Sequence, residues 1–147
     1  GSDDKAHVKI YFWNGSSWVL QADIAKDGGT KEVSVSGDGN VVAVGDWDYN
    51  GRKGAVFMYE WNGSSWIEKG ERIEGDIDYT AGYSVDLNSD GSVLVVGSWL
   101  NQVYVYEWNG SAWVVRGSGI GETNSDNKRV AINSDGSIIA THNSQNL

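Results

Sequence analysis

The chain has 147 residues, with 11 basic and 20 acidic side chains and a formal net charge of −9, which is the size of one ordinary domain. The absence of cysteine excludes a disulfide framework, thiolate metal sites and a cysteine nucleophile. The acidic balance argues against nucleic acid, which needs basic patches, and no apolar run approaches the roughly 20 residues of a membrane span, so no membrane insertion is expected.

Residues 1–6 are expected to be a cloning remnant and a flexible lead-in. Residues 7–22 read as a hairpin in which His7, Val8 and Ile10 lead into Tyr11-Phe12-Trp13, Asn14-Gly15 turns the chain, and Trp18 starts the return. Asn-Gly between aromatic-rich runs is a strong hairpin signal, because both central positions of a type I′ turn take positive φ. Residues 23–69 hold two such signals. Val33-Ser34-Val35 and Val41–Val44 flank Asp38-Gly39, while Ala55–Trp61 and Trp66 flank Asn62-Gly63. Residues 70–117 repeat the arrangement with Ser84–Leu87, Asp90-Gly91, Val93–Val96, Tyr106–Trp108, Asn109-Gly110 and Trp113. Residues 118–142 carry only the first half: Val130-Ala131-Ile132, Asp135-Gly136, then Ile138, Ile139 and Ala140, closing at His142, with 143–147 as a tail.

The Trp-Asn-Gly motif recurs after 48 and 47 residues and the Asp-Gly motif after 52 and 45. Two motifs sharing one period, each three times, mark an array of similar units. No stretch carries a sustained helical stripe, so the expectation is all-β. Four short strands per unit of about 47 residues is the signature of a β-propeller blade. With the strands called A to D from the axis outward, the chain reads CD, ABCD, ABCD, AB, which is about three four-stranded antiparallel blades with one of them cut in half.

Half-blades leave open sheet edges, which proteins must pair or protect. A three-bladed ring lies below the usual four-to-eight range, so the two halves are expected to pair between chains. His7, Val8 and Ile10 would meet Ile138, Ile139, Ala140 and His142 of another copy. Two copies give six blades and three give nine; the homodimer is favoured and the homotrimer is the alternative. An excised piece of a longer propeller is the other explanation of the same order.

Two stretches carry a family resemblance. Ala81-Gly82-Tyr83-Ser84-Val85-Asp86-Leu87-Asn88-Ser89-Asp90-Gly91-Ser92-Val93-Leu94-Val95-Val96-Gly97 resembles the blade opening of FG-GAP (integrin-α-like) propeller repeats, and Gly54–Tyr59 is similar to their third strand. In the other units Thr30-Lys31-Glu32 and Asn127-Lys128-Arg129 replace Gly82-Tyr83-Ser84. Val130–Ser137 is also similar to the A–B hairpin of a WD repeat. The integrin-like resemblance implies a secreted or cell-surface interaction domain with calcium in an acidic A–B loop. Asp86, Asn88 and Asp90 match the start of such a loop, but Leu94 stands where the later carboxylate is needed. A hard cation wants six to eight oxygens, so no cofactor is expected and calcium is the exception to test. Asp46-Trp47-Asp48-Tyr49-Asn50-Gly51 is a second, shorter match.

Trp47 and Trp99 occupy matching positions after the second strand of each full unit, where an aromatic beside Asp46 can stack on a sugar or a cation. Filling the gap between units is the alternative. A glycan or protein ligand, and hence a multivalent lectin, is the competing function. The connections after the fourth strands are expected to gather Asp23, Asp27, Glu71, Glu74, Asp76, Asp78, Glu122 and Asp126 on one face. Asn14, Asn62 and Asn109 each satisfy a glycosylation sequon, although turn chemistry explains them without a sugar. The only two histidines, His7 and His142, sit at the ends, so a hydrolytic triad has no support and no enzymatic activity is expected.

Overall fold

The computed structural model describes residues 5–27, 31–75, 80–99, 102–121 and 126–144, and these build an all-β molecule of four antiparallel sheets. Sheet I is a hairpin of β1 (Lys5–Trp13) and β2 (Trp18–Asp27). Sheet II runs β3 (Lys31–Val35), β4 (Val41–Asp46), β5 (Ala55–Trp61), β6 (Trp66–Glu68), with the short β7 (Ile73–Glu74) also on β5. Sheet III runs β8 (Ser84–Leu87), β9 (Val93–Gly97), β10 (Tyr104–Trp108), β11 (Trp113–Val115). Sheet IV is a hairpin of β12 (Asp126–Ile132) and β13 (Ile139–Ser144).

The turns explain the strand boundaries. In each Trp-Asn-Gly copy the Asn side-chain oxygen accepts the backbone N–H two and three residues on, at 2.8–2.9 Å. The glycine lies at φ near 100° in all three, while none of the three asparagines has positive φ. The expected type I′ geometry is therefore replaced by a longer loop. Four residues separate the cross-strand pairs Trp13–Trp18, Trp61–Trp66 and Trp108–Trp113, and the asparagine caps that loop. Each pair of indoles packs with centroids 5.4–5.8 Å apart.

The sheets stack face to face in chain order. Val41, Ala43, Val56, Met58 and Ile73 of sheet II bury against Val85, Leu87, Leu94 and Val96 of sheet III. The opposite face of sheet II, through Val42, Val44 and Tyr59, packs on Val8, Ile10 and Ile24 of sheet I. The far face of sheet III, with Val93, Val95, Val103 and Val105, packs on Val130, Ile132 and Ile139 of sheet IV. Sheets II and III are covered on both faces, which is why β4 and β9 are apolar without alternation.

Hydrogen bonds cross between the first strands as well. The Ser34 hydroxyl donates to Asp86 Oδ1 at 3.0 Å, and Ile132 N–H donates to Asp86 Oδ2 at 2.9 Å, so one carboxylate ties β3, β8 and β12 together. Arg129 adds an ion pair with Glu32 at 3.7 Å.

Three boundaries differ from expectation. β2 continues through Asp23 to Asp27, so both acids lie in a strand and not in a connection. The cause is local: Gly70 and Gly117 take φ of 73° and 77° and end the equivalent strands, whereas the first copy has Ala22 there and passes the point with a bulge. At the other end, β1 starts at Lys5, inside the expected lead-in, and β13 runs on to Ser144. A tight turn at Tyr49–Arg52, with Asn50, Gly51 and Arg52 all at positive φ, is the one helical segment among the described residues.

Candidate functional site: the two open sheet edges

Sheets I and IV are two-stranded and each corresponds to half of the four-strand order of sheets II and III, and to different halves. Sheet I supplies the strands equivalent to β5–β6 and β10–β11, joined by the Trp-Asn-Gly turn. Sheet IV supplies those equivalent to β3–β4 and β8–β9, joined by the Asp-Gly turn. In the described residues β1 pairs only with β2, and β13 only with β12. The edge of β1 away from β2 and the edge of β13 away from β12, both paired at the equivalent strands of sheets II and III, are unpaired among the described residues.

Exposure at equivalent positions locates what is missing. Tyr59 of sheet II is 5% exposed, whereas its counterpart Tyr11 in sheet I is 49% exposed. Val85 and Leu87 are each 5% exposed, and their counterparts Val33 and Val35 are 55% and 59%. Val41 and Val93 are 2% and 7% exposed, and their counterpart Ile138 is 66%. Trp13 and Trp18 likewise stand mostly in solvent, where Trp61, Trp66, Trp108 and Trp113 are half-buried. Each uncovered side chain sits where the interior copy is covered by a neighbouring unit. Between β1 and β3 this leaves a groove of about 480 Å³, whose wall includes Ile10, Tyr11, Val33 and Val35.

Of the residues expected at this junction, Val8 and Ile10 pack against sheet II and Ile139 against sheet III. Ile138, Ala140 and His142 are exposed. His7 is exposed and its Nδ1 lies 2.7 Å from Asp23. Phe12, Trp18, Val33, Val35 and Arg116 belong to the same surface, and sequence reasoning did not single them out. The available signal was the alignment of units, which pairs Val33 and Val35 with the buried Val85 and Leu87 and sets Phe12 where the other copies carry Glu60 and Glu107.

The acidic turns are occupied by their own hydrogen bonds. Asn88 Oδ1 accepts Val93 N–H at 2.9 Å, Asp90 Oδ1 accepts the Ser92 N–H and hydroxyl, and Asp86 is spanned as described. Among the described residues no group of three acidic or histidine side chains is arranged to hold a metal ion. Hydrogen bonds from the Ser92 and Ser137 hydroxyls hold Asp90 and Asp135 below the ordinary carboxylate range. Burial pushes Asp38 up, but hydrogen bonds from Ser36 and the Asn40 backbone outweigh it and the net shift is downward.

Of the expected ligand-binding aromatics, Trp99 is engaged locally. Trp99 packs edge-on against Tyr83 at 5.6 Å, and its backbone N–H donates to the Thr80 hydroxyl at 2.9 Å. Trp47 is half-buried and Asp46, at the end of β4, is 1% exposed. Glu71 and Glu74 are exposed, and Glu74 accepts a hydrogen bond from Asn50. Glu74 lies in β7 and Asp126 begins β12, so these two also lie in strands and not in connections; Asp76, Asp78, Glu122 and the side chain of Asp126 lie outside the described residues.

Compared with known proteins, the chain matches no family model and no curated protein sequence.

Proposed function

We propose that this chain is a non-enzymatic, self-assembling β-propeller scaffold, in which sheets I and IV of different copies join to make one full blade and so close a ring. The observation that carries this is the complementarity of the two open hairpins. One chain end presents the outer half of a blade, the other presents the inner half, and the apolar residues left uncovered lie where each half lacks the other. Edges of this kind are templates for pairing with another chain, and a head-to-tail contact either closes a ring or propagates a filament. Two copies of three units make six blades, within the range in which blades pack around an axis. The tight caps on the Asp-Gly and Asn-Gly turns suit a rigid ring whose connections are free to carry recognition.

Light scattering behind size exclusion tests the proposal. The expected species is a dimer of the 16.0 kDa chain, and a trimer would keep ring closure with nine blades. A monodisperse monomer at micromolar concentration overturns it, as does a ladder of open filaments.

A further inference from the structure

We infer that the groove between β1 and β3 is the seat of β13 from a second copy in one defined register, with Ile138 opposite Phe12; this deepens the ring-closure proposal and rests on it. The register follows from the interior pairings. β4 sets Val41 against Glu60, Val42 against Tyr59, Ala43 against Met58 and Val44 against Phe57. β9 repeats this with Val93 against Glu107, Leu94 against Tyr106 and Val95 against Val105. Counted from the shared Asp-Gly and Trp-Asn-Gly turns, the positions at the two chain ends are Ile138 and Phe12, Ile139 and Tyr11, Ala140 and Ile10, Thr141 and Lys9.

Side-chain alternation then fixes the faces. Val41 and Ala43 point at Val85 and Leu87 in the interior, so Ile138 and Ala140 point at Val33 and Val35, the exposed wall of the groove. The pair at the turn end is chemically distinct from its interior copies. Glu60 and Glu107 stand opposite Val41 and Val93, and each is held by a cation from the adjoining strand, Lys69 at 3.0 Å and Arg116 at 3.7 Å. In sheet I the equivalents are Phe12 and Gln21. An aromatic opposite a β-branched residue is a favourable cross-strand pair; within its own hairpin Phe12 already faces the β-branched Val19 on one side, and Ile138 would supply a second such partner on the other.

The backbone and the outer strand extend the same step. Trp61 N–H donates to the Asn40 carbonyl and Trp108 N–H to the Ser92 carbonyl, both at 2.9 Å. The equivalents are Trp13 N–H and the Ser137 carbonyl of the second copy. Trp66 Nε1 donates to Gln21 Oε1 and Trp113 Nε1 to the Lys69 carbonyl. Gln21, Lys69 and Arg116 hold one position in successive units, so Arg116 of the second copy is placed over Trp18 and Trp13. Lys69 already lies 5.3 Å from the Trp108 ring in the interior case, and a cation over an indole face is attracted by it. The occupant is another copy of this chain because the side chains absent from the groove are those its own C-terminal hairpin leaves uncovered.

The absence of cysteine makes the register testable by disulfide trapping. The double variant Phe12→Cys with Ile138→Cys places its thiols on directly paired residues, within the reach of a disulfide. Phe12→Cys with Ile139→Cys is shifted by one residue, onto opposite faces. Native mass is measured under reduction for the parent and both variants, and chain linkage on denaturing gels after oxidation. The expected result is an oligomeric parent and about tenfold more interchain product from the paired variant than from the shifted one. If all three remain oligomeric but linkage is absent, or equal in both variants, the register is wrong while ring closure stands. A monomeric parent, or linkage within one chain, overturns both.

Discussion

The contact between sheets II and III and the surfaces at the chain ends are built from equivalent positions of the repeated unit, yet one is sealed and the other is open. Between these sheets Ala43, Val56 and Leu94 are fully buried, and glycines let the backbones touch: a Cβ on Gly45 would collide with the Gly82 carbonyl oxygen. At the ends, Tyr11, Val33, Val35 and Ile138 keep about half or more of their surface in water. Position within the unit is therefore not what decides burial; having a neighbour is. An isolated two-stranded hairpin is marginal, so sheets I and IV depend on the faces of sheets II and III for their stability.

That contrast separates mutations that unfold the chain from mutations that only part the copies. The largest effect is expected for Leu94→Ala, which opens a cavity between sheets II and III and should cost about 2–5 kcal/mol, measured by denaturant unfolding. Gly45→Ala comes next, at about 1–3 kcal/mol from overpacking against Gly82, and its cost should persist at every protein concentration. By contrast, Val35→Asp should change the stability of the dilute chain by only about 0.5 kcal/mol while shifting sedimentation from assembly to monomer. If Val35→Asp unfolds the chain as Leu94→Ala does, the two regions are not different in kind.

Acid gives a smaller effect that interior and ends share. Asp38, Asp90 and Asp135 are held below the ordinary carboxylate range by turn hydrogen bonds, with burial opposing this most at Asp38. A carboxylate depressed on folding contributes stability above its unfolded value and loses it as pH falls through the folded one. Unfolding free energy should therefore drop as pH falls below about 4, and Asp90→Asn should flatten that drop while costing about 1 kcal/mol at neutral pH. The smallest expected change is Glu60→Gln, which removes the partly exposed ion pair with Lys69 and should cost less than about 1 kcal/mol, read from the shift in denaturation midpoint.

Much of the strand plan was legible because turn chemistry is local. Asn-Gly and Asp-Gly marked all six hairpins, and the unbroken apolar runs of β4 and β9 marked sheets covered on both faces. The end of β2 was missed because a single alanine at position 22 replaces the glycine that stops the equivalent strands. The type I′ expectation failed because the asparagine side chain, by capping two N–H groups, stabilises a longer loop with one left-handed residue. Asp86 was legible only as an acid in a calcium-like pattern. Its actual bonds go to Ser34 and Ile132, 52 and 46 residues away in sequence, and no local pattern reveals them. The open edges were visible from the order of half-units, whereas the uncovered Val33, Val35 and Trp18 needed the stacking of sheets to emerge.

Amide hydrogen exchange along β1 and β13, followed from high to low protein concentration, examines these edges most directly. Outward-facing N–H groups there should exchange as slowly as those of β4 and β5 when copies are abundant, and become fast on dilution, because their carbonyl partners belong to another molecule. Fast exchange at all concentrations, or slow exchange that dilution leaves untouched, would contradict completion of the sheets by a second chain.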